Sequence, residues 1–317
     1  MTRWLRPVVA LILAMATVLD AQDPPRTVFR SSTSAVAVDA SVRDASRRPV
    51  TGLKSSDFQV YDNGILQQVD SVSYGKLPID VTIALDVSYS VSGALLDRLR
   101  QGVAQLMRDL GPDDRLRLLL FNMRVTRVTP FTNDVKLVEK VMRGAGAGGS
   151  TALLDAISVA LVSASSPDRR QLVVFFTDGS DSSSTTTAET LVAVAQRTRA
   201  TLTFVMPSGL SAPIIVSGNR PDARVPLPTM TVSRLAATPP QYAVLAKLSA
   251  ETGGTLLPVG PSGDLSGAFR RVLSDFRSAY VLYYTPRGVT ADGYHAIEVK
   301  TTREGAAVLA RRGYFGS

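Results

Sequence analysis

Hydrophobic and polar positions change rhythm twice along the chain. Val36, Val38, Ala40 and Val42 alternate with polar residues, the period of a half-buried strand. Phe58–Tyr61 and Ile65–Val72 predict two strands of a hairpin, with Asn63-Gly64 suited to a type I′ turn. From Ile79 the pattern becomes strand–helix alternation. Val81–Leu85, Leu116–Phe121, Leu172–Phe176, Leu202–Met206 and Thr255–Val259 read as buried strands, and Val125–Phe131 as an antiparallel neighbour of the second. Leu95, Leu96, Leu99, Val103, Leu106 and Leu110 recur at helical spacing and stop at Gly111-Pro112. Further helices are expected over 135–142, 153–162, 188–198, 242–250 and 265–277, that over 242–250 closed by Gly253-Gly254. After the last helix the pattern is β again, at 280–284, 294–300 and 307–310.

This order predicts an α/β fold: a doubly wound, mostly parallel sheet with helices on both faces. The economical arrangement brings residues 279–317 back to the β segment 35–78. The α/β part, 79–278, is then inserted in a small β-sandwich-like module made by the two flanks. Residues 22–34 read as a polar linker, and 207–240 as a long insertion rich in Pro, Ser and Ala. That insertion is either a surface loop or a lid beside the ligand-binding edge.

The chemistry collects where strands end. Asp86-Val87-Ser88-Tyr89-Ser90 follows the apolar run 81–85, Thr151 follows Gly148-Gly149-Ser150, and Asp178 stands in Thr177-Asp178-Gly179 after another apolar run. In a doubly wound sheet these loops lie along one edge, where ligands bind. Asp86, Ser88, Ser90, Thr151 and Asp178 offer only hard oxygens, which suit Mg²⁺, with Mn²⁺ or Ca²⁺ as alternatives. Three of the five are neutral. If the hydroxyls bind directly and the carboxylates act mainly through waters, the ion stays electrophilic. It can then take an Asp or Glu carboxylate from a protein partner. Gly149 and Gly179 let backbone approach closely, and Asp155 is expected beside the site rather than in it. Thr151 could also cap the following helix, and Asp181 reads as a solvated loop residue.

These segments resemble the von Willebrand factor type A domain with a metal-ion-dependent adhesion site. The resemblance rests on Asp86-Val87-Ser88-Tyr89-Ser90, Thr151 and Thr177-Asp178-Gly179, and covers about residues 79–278. The flanks, including Pro49-Val50-Thr51-Gly52-Leu53 and Tyr280–Pro286, resemble exported bacterial proteins of a von Willebrand-related group abundant in Acidobacteria. What the resemblance implies is metal-bridged cell adhesion or protein–protein interaction without catalysis. The segment after Met206 departs from the family pattern.

Composition narrows the alternatives. The 317-residue chain has no cysteine, which excludes disulfides and thiolate metal sites, and one histidine, His295, which disfavours a hydrolase triad. His295 is expected at a surface or sheet edge. Gly144–Thr151 has Ser150 where a phosphate loop needs lysine. Arg3 and Arg6 precede an apolar run, Pro7–Leu19, and Ala21 offers a small residue for cleavage, so 1–21 reads as a signal peptide and the chain as exported: periplasmic, cell-surface or secreted. The alternative is a retained anchor. No second apolar span follows. The net charge of +8 falls to +7 without Arg3, Arg6 and Asp20, and is scattered, so nucleic acid is not the expected partner. Two rival readings stay open: an envelope assembly component whose metal only stabilises the fold, and a metal-dependent phosphoesterase.

Overall fold

The structure is a computed structural model that describes residues 35–75, 77–163, 168–207, 240–260 and 263–316. The predicted signal peptide, the linker and nearly all of the 207–240 insertion lie outside the described residues.

Four strands come first: β1 (Val36–Arg43), β2 (Phe58–Asp62), β3 (Ile65–Gln67) and β4 (Val69–Tyr74). The α/β series follows as β5 (Ile79–Asp86), α1 (Ala94–Asp109), β6 (Arg115–Phe121), β7 (Val125–Val128), α2 (Val135–Gly144), α3 (Leu153–Val162), β8 (Arg170–Phe176), α4 (Ala188–Arg197), β9 (Thr201–Pro207), α5 (Pro240–Thr252), β10 (Leu256–Val259) and α6 (Leu265–Arg277). Four strands close the chain: β11 (Tyr280–Tyr284), β12 (Gly293–Thr301), β13 (Ala307–Ala310) and β14 (Gly313–Gly316).

The central sheet has the order β10-β9-β8-β5-β6-β7, parallel except for β7. Its inner strands β5, β6, β8 and β9 are buried on both faces because helices cover both, while the edge strand β7 is largely exposed. Val81, Ile83 and Leu85 of β5 join α1, α2 and α6 in one core, with Leu99, Val103 and Phe269. Ala84, Phe121 and Phe175 join α3, α4 and α5 in the other, with Ile157, Leu191 and Leu245. From β5 the chain passes first to β6 on one side, then returns to β8 on the other. The crevice at the carboxyl end of β5 is therefore the switch point where such folds bind ligands.

The flanking strands pair with each other. One sheet runs β13-β1-β11-β4 and the other β14-β12-β2-β3. Val38, Ala40, Tyr280, Leu282 and Tyr284 of the first face Phe58, Val60, Ile297 and Val299 of the second across a shared core. Asn63 and Gly64 have φ of 48° and 81°, as a type I′ hairpin requires. Two ion pairs fasten this sandwich to the α/β part: Arg43–Asp275 at 2.7 Å and Arg170–Asp39 at 2.6 Å. The Arg170 guanidinium also lies 3.9 Å from the Phe276 ring centroid.

Three expectations need correction. The strand expected over 65–72 is two strands in different sheets. β3 pairs with β2, while β4 pairs with β11, and the buried Gln67 side chain bridges to both backbone groups of Arg287 at the crossing. β14 was not expected as a separate strand, because Tyr314-Phe315 is only two residues long between glycines at 313 and 316. His295 is not at a surface: it is 1% exposed. Its Nδ1 lies 2.8 Å from Asp62 Oδ1, and Tyr284 and Tyr314 donate to Asp62 Oδ2 at 2.8 and 3.0 Å. Burial, with the hydrogen bond to Asp62 and the partner hydroxyl behind it, drives the Tyr284 phenol far above its ordinary value.

Candidate metal centre

β5 delivers Asp86 to the switch point fully buried, at 0% exposure. Its Oδ1 accepts from the Ser88 backbone N–H at 2.9 Å and its Oδ2 from the Thr177 hydroxyl at 3.2 Å. The chain then makes a short 3₁₀ turn over Tyr89–Val91, which sets Ser88 Oγ 3.1 Å from Ser90 Oγ. Ser88 is buried and Ser90 exposed, so the pair opens from the crevice toward solvent.

The second loop is tied to the first through backbone. Gly148 N donates to Val87 O at 2.8 Å and Tyr89 N to Gly149 O at 3.2 Å. Gly149 sits at φ 82°, which L side chains rarely adopt, so the expectation of a glycine there has a conformational cause. Thr151 is buried, but it is not the helix cap. The N-cap of α3 is Ala152, and the Leu153 N–H is served at 2.8 Å by Asp181 Oδ1 from the neighbouring loop. Asp181 is thus a capping residue rather than a solvated one, and the Thr151 hydroxyl is released from that duty. The Thr151 backbone is fixed instead, its N–H donating to Ser182 Oγ at 3.1 Å and its carbonyl accepting from Ser182 N at 2.8 Å.

Asp178 follows β8, partly buried, with Oδ1 accepting from Ser180 N at 2.9 Å. Tyr242 of α5 donates to the Asp178 carbonyl at 2.8 Å. Gly179 has φ 82°, and a Cβ there would stand 2.8 Å from Met206 Cε and 3.0 Å from Tyr242 Cε1. Asp155 points its carboxylate at the 185–186 loop, accepting from Thr186 N at 2.8 Å and Thr185 N at 3.1 Å. Burial pushes its pKa up, but the hydrogen bonds from Thr186 and Thr185 outweigh that and hold it below the usual range.

Electrostatics distinguish Asp86. Burial raises its pKa, the bonds from Ser88 partly oppose this, and the like charge of Asp178 adds to the rise. Among the described residues no basic side chain pairs with Asp86. Asp86 thus feels the charge of Asp178, and the loop that carries Ser88 and Ser90 is bonded through backbone to the one that leads to Thr151. The donor set fits a hard divalent cation. Ser88 Oγ and Ser90 Oγ lie 3.1 Å apart, within hydrogen-bond distance of each other, so the two neutral oxygens are offered side by side.

Residues 80–211, less than half of the chain, match the family model described as von Willebrand factor type A domain. The α/β part has the von Willebrand factor type A fold. Three solved structures are similar at low identity. An aerotolerance-related membrane protein from Bacteroides fragilis NCTC 9343, with multiple mutations to serines, is 20% identical, with 62% of this chain and 98% of that one covered and a TM-score of 0.42. BatB, a conserved hypothetical protein from Bacteroides thetaiotaomicron, is 18% identical over 62% and 98%, with a TM-score of 0.44. The proximal thread matrix protein 1 of the mussel byssus, with a zinc-occupied MIDAS motif, is 11% identical over 66% and 48%, with a TM-score of 0.44. No curated protein matches the chain.

Sequence reading missed Asn122, Thr177 as a partner of Asp86, and Tyr242. Asn122 follows β6 at the same edge, donates to Gly148 O at 2.9 Å, and carries a buried Oδ1 with no partner. Its position one residue past a buried strand was a usable signal. Tyr242 had none, since it comes from a helix 64 positions beyond Asp178.

Proposed function

We propose that the chain is an exported, non-enzymatic protein-binding module that captures an acidic side chain of a partner through a divalent cation. Asp86, Ser88, Ser90, Thr151 and Asp178 would hold the ion, Mg²⁺ in the first place and Mn²⁺ or Ca²⁺ as alternatives. When bound, it would supply an electrophilic position for an external carboxylate. The observation that carries this reading is the buried Asp86 beside Asp178, supported only by neutral donors. The chain's own residues do the positioning. Ser88 N–H and Thr177 Oγ orient the Asp86 carboxylate, Asp181 frees Thr151 by capping α3, and Tyr242 holds the Asp178 backbone. No helix among the described residues is long and apolar enough to cross a membrane.

The test is a cross-linking pull-down from the native organism with and without chelator, using wild type and Asp178→Ala. Capture that needs Mg²⁺ and disappears in the variant supports the reading. Capture that persists in the variant while its melting temperature falls favours a metal that only stabilises the fold. Turnover of a generic phosphate ester that vanishes in Asp86→Ala would favour a phosphoesterase.

A further inference from the structure

Eight large apolar side chains of the described residues are exposed, and two of the three most exposed, Tyr89 and Met123, stand at this one crevice. Tyr89 is 75% exposed and Met123 is 59% exposed. Both adjoin Gly148-Gly149. Tyr89 Cε1 lies 3.8 Å from where a Cβ of Gly148 would be, and Met123 Sδ lies 3.8 Å from that of Gly149. The two glycines therefore make a floor without side chains, separated from Thr151 by Ser150, and the two apolar groups stand beside it. The placement is fixed by backbone rather than by burial. Tyr89 N donates to Gly149 O, Asn122 Nδ2 donates to Gly148 O, and Asn122 N donates to Arg124 O at 3.0 Å, closing the tight turn that presents Met123. Arg124, on that turn, is also exposed and adds positive charge to the rim.

Isolated exposed apolar residues need no explanation, but an aromatic and a methionine presented by hydrogen-bonded turns beside a polar crevice form an anchor surface. Methionine adapts to varied apolar shapes, and an aromatic ring offers a large face at low entropic cost. We propose that Tyr89, Met123 and the Gly148-Gly149 floor form a docking surface for a bulky apolar side chain next to the partner's acidic residue. The recognised element is thus an acidic peptide segment with an aliphatic or aromatic neighbour, and Arg124 favours further acid around it. This rests on the cation–carboxylate reading of the same crevice.

The test is selection by the full chain, in Mg²⁺, from a displayed peptide library with one fixed central Glu and random flanks. Bound peptides are released with EDTA. Enrichment of Leu, Ile, Phe, Tyr or Trp within two positions of the Glu is expected. Synthetic peptides with those sequences should bind Tyr89→Ser and Met123→Ser about tenfold more weakly. Gly148→Val should weaken them similarly by filling the floor. The Mg²⁺ affinity of Met123→Ser, measured by calorimetry without peptide, should stay within twofold. Peptides released by EDTA but with flat flanks would overturn the docking surface and leave the cation reading standing. Recovery of no peptide, or of peptides that EDTA does not release, would overturn both.

Discussion

Asp80 and Asp86 stand near opposite ends of the same strand, β5, and both are 0% exposed. Their surroundings are opposite. Asp80 is gripped by Arg115, whose Nε and Nη2 reach its two oxygens at 2.9 and 2.7 Å, and by Arg169 at 2.6 Å. Asp86 meets a backbone N–H, a threonine hydroxyl and the field of a second carboxylate. One buried carboxylate has its cations built into the chain. The other has none among the described residues, and it lies at the end of the sheet where ligands enter. Burying a charge without a counter-charge is costly, so the second arrangement makes sense as a site completed from outside.

The largest expected effect is at the paired end. Asp80→Ala leaves two arginines without their shared carboxylate and should cost about 3 kcal/mol, the low end for a buried pair because the Arg115 side chain is 37% exposed, read by urea unfolding, with equal loss in EDTA and in Mg²⁺. Asp86→Asn should behave differently: in EDTA it is no less stable than wild type. What it loses is the stabilisation by Mg²⁺, about 2.7 kcal/mol at a hundred times the dissociation constant. A large loss for Asp86→Asn in EDTA would erase the contrast.

A pH series sharpens it further. Asp86 is raised in the cation-free fold, so folding takes up a proton between the ordinary carboxylate value and the raised one. That contribution to stability is full below the ordinary value and is lost as pH rises through the raised one. In EDTA the melting temperature should therefore fall through that window in wild type but not in Asp86→Asn, other groups being common to both. In Mg²⁺ the wild-type fall should be smaller, because the ion favours the charged carboxylate. The smallest effect is at Tyr242→Phe, which removes one hydrogen bond to the Asp178 carbonyl and should cost about 1 kcal/mol while weakening Mg²⁺ binding only slightly.

One side of the contrast, the Asp86 end, was legible in the sequence, whereas nothing in the pattern marked Asp80 and its two arginines. The mostly apolar run of β5, followed at once by Asp86, Ser88 and Ser90, located both the strand and the candidate donors at its end. The runs ending at Asp178 and the glycines before Thr151 placed the other donors. What stayed hidden depends on contacts between distant segments. Thr151 looked like a cap because the real cap, Asp181, comes from a loop 28 positions on from the Leu153 it serves. His295 looked exposed because alternation separates two faces without saying which polar residue the opposite sheet will satisfy. Here Asp62 and two tyrosines take it inside. The split of 65–72 was invisible because no glycine or proline marks it. The change of sheet is set by pairing with β11, far along the chain.

The most direct test is calorimetric titration of Mg²⁺ into the full chain at neutral pH, beside Asp86→Asn and Asp80→Asn. One ion should bind per chain in wild type and none in Asp86→Asn, with unchanged binding in whatever fraction of Asp80→Asn remains folded. No binding to folded wild type, or equal binding to Asp86→Asn, would contradict a cation site at Asp86.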